Sequence, residues 1–180
     1  MSKSKLPTLE VSGFDFDHIP IEAWKFLIDH CGVKELSISK TTIDIAAPNH
    51  SDLCNIVALY LVDVGLTEMP CLSNLTSLEW LCLKDNQIGY VNLQSYFDAE
   101  TGNGTMPKLK YLDLSRNPVS KIDARIKEVF TSKPLIILSE EVMVDLSLPL
   151  SDVKHELKDA DIELVEPDLV SQMDWMPVTD

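Results

Sequence analysis

Apolar residues return along this chain in one fixed order, and the recurrence predicts a stack of short strands. The segment Leu78-Glu79-Trp80-Leu81-Cys82-Leu83-Lys84-Asp85-Asn86-Gln87-Ile88 fills every fixed position of the pattern L-x-x-L-x-L-x-x-N-x-L. Leu109 to Val119 fills it again, with Asn117 in the asparagine place and Val119 as the last apolar residue. Ile56, Leu59, Leu61 and Leu66 make a weaker copy with Val64 where asparagine is expected. Val33, Leu36, Ile38 and Ile43 make another with Thr41 there, and Leu6, Leu9, Val11 and Phe16 a fainter one with Phe14. The starts near 6, 33, 56, 78 and 109 are roughly 22 to 31 residues apart, against a typical spacing of about 20–29.

The last two leucines of L-x-x-L-x-L alternate along a strand, so both point to one side. One copy cannot bury that side, whereas stacked copies share a continuous core. The asparagine side chain can hydrogen-bond backbone groups of a neighbouring turn, and only Asn86 and Asn117 can form such a column. The N-terminal coils are therefore expected to be less regular. Between the third and fourth copies Leu66, Met69, Leu72, Leu75 and Leu78 recur every three residues.

These motifs resemble leucine-rich-repeat proteins over roughly residues 6 to 139. The three-residue recurrence is similar to the short, 22-residue subtype found in regulatory subunits of a nuclear serine/threonine phosphatase. Residues 1–144 would then form an α/β solenoid: a right-handed coil with a parallel concave β-sheet, turns or 3₁₀ segments on the convex side, and caps at both ends. Such folds usually bind partners and seldom catalyse. Two departures stand beside the resemblance: the missing asparagines, and first and fourth repeats longer than that subtype.

Other elements follow from local signals. Pro20 to His30 reads as a helix with Ile21, Trp24, Leu27 and Ile28 on one face and Gly32 placed to end it. Ser51 is placed to cap a helical turn over 52–55. Leu93, Tyr96 and Phe97 suggest another turn inside the long insertion at 92–105, which either binds a partner or lengthens the convex path. Asp123 reads as the cap of a helix through Phe130, and Leu135 to Leu138 as a final buried strand. Residues 145–180 turn acidic and read as a tail, extended or partly folded back, with Asp174, Trp175 and Met176 as a possible docking motif within it.

The alternation that buries the leucines sends their neighbours outward in rows. Thr8, Glu35, Ala58, Trp80 and Tyr111 make one row, and Glu10, Ser37, Tyr60, Cys82 and Asp113 the next. Then come Ser12, Ser39, Val62, Lys84 and Ser115, followed by Gly13, Lys40, Asp63, Asp85 and Arg116. Tyr60, Trp80 and Tyr111 should meet as an aromatic patch flanked by Lys84, Asp85, Asp113 and Arg116. Aromatic anchors with arginine are typical of interface hot spots; large side chains packing on one another without a ligand would give the same pattern.

Composition narrows the function classes. A formal net charge of −14 opposes nucleic-acid binding, which needs a basic footprint. It permits a partner with a basic surface and equally serves solubility. The first residues, Met1 to Pro7, carry no apolar signal core, and nowhere do about 18 apolar residues run together, so neither export nor a membrane span is expected. Cys31, Cys54, Cys71 and Cys82 form no C-x-x-C pair and fit a reducing compartment. The cytoplasm is the expected location, or a host cytosol for a delivered effector. The scattered histidines imply no catalytic site or metal centre, and no cofactor is expected. The resulting expectation is a non-catalytic module binding another protein through its concave face. Two alternatives are an acidic inhibitor or immunity-type protein neutralising a basic toxin or enzyme, and an effector or adaptor whose tail recruits a second factor.

Overall fold

The alternation of apolar and polar residues appears as strands in the computed structural model, which describes residues 7–12, 32–40, 55–72, 75–97 and 103–165. In chain order the strands are β1 (Thr8–Ser12), β2 (Glu35–Ser39), β3 (Ala58–Val62), β4 (Trp80–Cys82), β5 (Tyr90–Val91), β6 (Tyr111–Asp113), β7 (Lys121–Asp123), β8 (Leu135–Ile137), β9 (Met143–Asp145) and β10 (Glu163–Val165). Two helices, α1 (Ile126–Val129) and α2 (Leu150–Asp159), and a 3₁₀ turn at Gln94–Tyr96 accompany them. The helix expected over 20–30 and most of the turn over 52–55 lie outside the described residues, as do residues 98–102 and 166–180.

The protein is α/β, with an open seven-stranded sheet ordered β1-β2-β3-β4-β6-β8-β9. Every pairing is parallel except the last, where β9 runs antiparallel to β8. A second parallel sheet, β10-β7-β5, contains two short strands, β5 and β7, that begin ten residues after β4 and β6 begin (80 to 90, 111 to 121), and β10 joins them from the C-terminal side. The fixed leucines lie in one apolar core: Leu36, Leu59, Leu81, Leu83, Leu112 and Leu114 are all buried. Met69, Leu72, Leu75 and Leu78 join them, and the amides of Leu75 and Leu78 each donate to the carbonyl three residues back, at 2.9 Å. That bonding accounts for the three-residue recurrence from Leu72 to Leu78.

Strands of three residues hold little register alone, and two asparagines reinforce it. Asn86 is buried, and its Nδ2 donates to the carbonyls of Leu61 and Leu83, both at 2.8 Å. Its Oδ1 accepts the amides of Val64 and Leu66 at 3.1 Å. Asn117 repeats the arrangement one strand on, beside β6, donating to Leu83 and Leu114 at 2.8 and 3.0 Å and accepting from Ile88 at 3.0 Å.

The residue before each of these positions turns left-handed. Lys40, Asp63, Asp85 and Arg116 have φ of 55°, 54°, 57° and 58°, a conformation that costs a non-glycine residue about 1–2 kcal/mol. It is kept because the ladder continues through it: the amides of Lys40, Asp63 and Asp85 donate to Val62, Lys84 and Ser115 at 3.2–3.3 Å.

Two local expectations are corrected. The helix after Val119 is one short turn, Ile126–Val129, and its cap residue is Arg125 without a side-chain cap bond. Asp123 instead ends β7, and its buried carboxylate accepts the Arg125 amide at 2.9 Å together with Arg125 Nε at 3.0 Å and Nη2 at 2.7 Å. The charged guanidinium adds two strong bonds to the single amide bond. Arg125 also donates to Gln94 Oε1 at 3.0 Å and lies 4.5 Å over the Phe97 ring, which ties the insertion to β7. Gly104 admits no side chain here, since a Cβ would lie 2.0 Å from the Val129 carbonyl oxygen.

The stretch 145–165, read from composition as part of an acidic tail, is built into the molecule. Helix α2 buries Val153 and Leu157, four residues apart on one face. It ends in paired backbone bonds, Ile162 N to Leu157 O at 2.9 Å and Asp161 N to Lys158 O at 3.1 Å, with Asp161 left-handed at φ 58°. This is a Schellman closure, and buried Ile162 and Leu157 supply its apolar contact. Strand β10 then pairs with β7. The tail motif Asp174, Trp175 and Met176 lies outside the described residues.

Two substitutions test these devices. Asn86→Ala leaves buried amides and carbonyls beside β3 and β4 unpaired, and urea unfolding should show a loss of about 3 kcal/mol. Arg125→Met leaves the buried Asp123 carboxylate with the residue-125 amide but no cation and should cost about 3 kcal/mol in the same assay. A loss below about 1 kcal/mol in either would show that the bonds have replacements.

Candidate functional site

Registration of the strands places the outward residues in rows. Thr8, Glu35, Ala58, Trp80 and Tyr111 follow one another across β1, β2, β3, β4 and β6. Glu10, Ser37, Tyr60, Cys82 and Asp113 form the row beside them. Both rows follow from the alternation that buries their leucine neighbours.

Trp80 and Tyr111 are brought together: their ring centroids are 4.3 Å apart and tilted by 31°. Tyr111 is exposed and Trp80 half-buried, so the pair offers a broad aromatic surface. Tyr60 is half-buried on the neighbouring row, opposite Cys82. Burial raises the Tyr60 hydroxyl pKa, and the charge of Glu35 raises it further.

Asp113 is held as a fixed acceptor. Its Oδ1 accepts the Ser115 amide at 2.9 Å, and the Cys82 thiol points at Oδ2 from 3.8 Å. Cys82 stands on the outward row as expected but is buried, so it is not the accessible thiol that position implied. Burial pushes its pKa up to about 11; the Lys84 amide opposes this, and the charge of Asp113 adds to it.

Beyond the strand ends the left-handed row makes the floor of a groove of about 530 Å³, lined by Ser39, Lys40, Val62, Asp63, Asp85, Asn86 and Arg116. Arg116 reaches Asp85 and Glu140, each at 3.5 Å. Both bridges are well exposed and orient the guanidinium more than they stabilise the fold. Lys84 stands half-buried just inside this row.

Of the residues singled out from sequence, Trp80, Tyr111, Tyr60 and Asp113 fall on adjacent positions of one sheet face. Asp85 and Arg116 form a separate charged rim. Glu140 comes from the β8–β9 hairpin and carries no signal until that hairpin is known. Glu35, by contrast, stands in a row that the repeat alignment already specifies. Among the described residues no group of His, Cys, Asp and Glu is arranged to hold a metal ion, and no helix is long and apolar enough to cross a membrane. No protein-family model matches the sequence, and no curated protein matches it significantly.

The thiols give a direct check of this geometry. Iodoacetamide at about pH 8 should label exposed Cys71 and spare Cys82, as read by peptide mapping. The folded state holds the Cys82 proton above its ordinary value of 9.0. This contribution to stability is intact below pH 9.0 and is lost as pH rises towards about 11. Labelling of Cys82 at the Cys71 rate would show that the outward row is open at β4.

Proposed function

We propose that the chain is a leucine-rich-repeat solenoid acting as a non-catalytic binding module, and that its concave sheet face takes another protein. One observation carries this reading: Trp80 and Tyr111 are stacked and held in register on the face opposite the core, beside Tyr60 and Asp113. Exposed aromatic clusters are uncommon on protein surfaces unless a partner covers them. Rings fixed by a sheet also lose little conformational entropy on binding, so their burial contributes more fully to affinity. The Lys84, Asp85 and Arg116 rim would set orientation and partner choice.

The repeat assignment rests on the asparagine bonds that recur from one coil to the next and on the parallel sheet grown by sequential addition of strands. The competing role for a tail motif at Asp174–Met176 calls for a truncation that spares the fold. That boundary is Val165, since β10 belongs to the second sheet.

Affinity capture from the native cytosol should return a partner with the wild type and with a chain ending at Val165. Trp80→Ala/Tyr111→Ala should lose it, with at least about a tenfold drop in affinity from two hot-spot residues. Retention by the double variant together with loss on truncation would move the binding site to residues 166–180.

A further inference from the structure

The face described above is chemically one-sided. Its two central rows contain the carboxylates Glu10, Glu35 and Asp113 and no lysine or arginine. Among the described residues no cation pairs with Asp113 or Glu35: Asp113 accepts from an amide and a thiol, and Glu35 accepts the Thr8 hydroxyl at 2.9 Å. Lys84 stands in the adjoining row, near enough for its charge to act on the Cys82 thiol, and Arg116 is already engaged with Asp85 and Glu140. The effect of Glu35 on the Tyr60 hydroxyl reports the same negative field within the patch.

Aromatic faces and unpaired carboxylates share one complementary group, a planar cation. Guanidinium stacks on indole and phenol rings and donates bidentately to a carboxylate, whereas an ammonium provides only a point charge. Tyr111 and Asp113 are alternate residues of one strand, about 6.6 Å apart, so one guanidinium can lie on the Trp80–Tyr111 rings and reach the Asp113 carboxylate. The molecule already contains this arrangement: Arg125 lies over Phe97 and chelates Asp123. There the chain supplies all three groups. On the sheet face it supplies the ring and the carboxylate and leaves the cation to the partner.

We infer that the partner segment is basic, and that one of its arginine side chains seats on Trp80 and Tyr111 with its guanidinium paired to Asp113. This rests on the concave-face reading and specifies its occupant.

The test is fluorescence anisotropy of the full chain with a labelled Gly/Ser peptide carrying three spaced arginines, against matched lysine and citrulline peptides. The arginine peptide should bind at least about fivefold tighter than the lysine peptide, and the citrulline peptide should not bind. Asp113→Asn keeps the acceptor for the Ser115 amide and should weaken arginine binding about tenfold without moving the thermal melt. Trp80→Leu should weaken it similarly. Equal binding of arginine and lysine peptides, or binding unchanged by both variants, would overturn the inference as generic attraction to an acidic chain. Competition separates this result from the broader reading. A native partner that Trp80→Ala/Tyr111→Ala loses, but that excess arginine peptide fails to displace, leaves the face as the site and refutes the arginine. A native partner that the double variant retains refutes the face itself.

Discussion

The side-chain amides of Asn86 and Asn117 make the interaction on which the rest of the molecule depends. A strand of three residues forms too few ladder bonds to fix its own register. Asn86 and Asn117 each join backbone groups beside their own strand to those beside the strand before, and Leu83 O receives a bond from both. A buried amide of this kind is cheap to satisfy and costly to remove, since every group it serves is left without water. It therefore specifies one stacking distance and one register where apolar packing alone would tolerate several.

That constraint reaches the outer face through the backbone. Directing the asparagine inward requires the residue before it to turn left-handed, as Asp85 and Arg116 do. The turn places their side chains along the rim, where Asp85, Arg116 and Glu140 pair across coils. Upstream of the turn the same register sets Trp80 against Tyr111 and Cys82 against Asp113. The aromatic pair is thus a consequence of how the core closes and owes nothing to loop conformation. Hydrophobic alternation, amide bonding and surface rows all follow one strand register.

Much of this was legible in the sequence because a repeat converts position in the pattern directly into position in space. Assigning Leu81 and Leu83 to the core assigns Trp80, Cys82 and Lys84 to the outside, and the alignment of copies does the rest. Legibility ended where the repeat ended. The segment from Ser151 onward is dominated by charge, yet a helix four residues per face apart needs only Val153 and Leu157 to pack, and Ile162 to close it. Composition averages over such sparse anchors and misses them. Asp123 misled for a different reason. Its carboxylate accepts the Arg125 amide as a cap would, but it also takes the Arg125 guanidinium, and the helix starts only at Ile126. Cys82 shows the same limit: alternation gives its side of the sheet but not how deeply its neighbours cover it.

Charge distribution completes the physical account of the outer face. Arg125 and Asp123 neutralise each other where burial would make either alone expensive, and Phe97 covers the guanidinium. Arg116 is exposed and shares two carboxylates, a loose arrangement that water screens. Asp113 falls between these cases. It is half-buried, its geometry is fixed by the Ser115 amide, and the Cys82 thiol faces its other oxygen. A carboxylate so placed keeps part of its hydration and has its orientation already set, so a cation arriving there meets an acceptor that need not reorganise. Preorganisation of this kind makes a weak surface charge useful for recognition. It follows from the same strand pairing that stacks Trp80 on Tyr111, because both partners of each pair belong to β4 and β6.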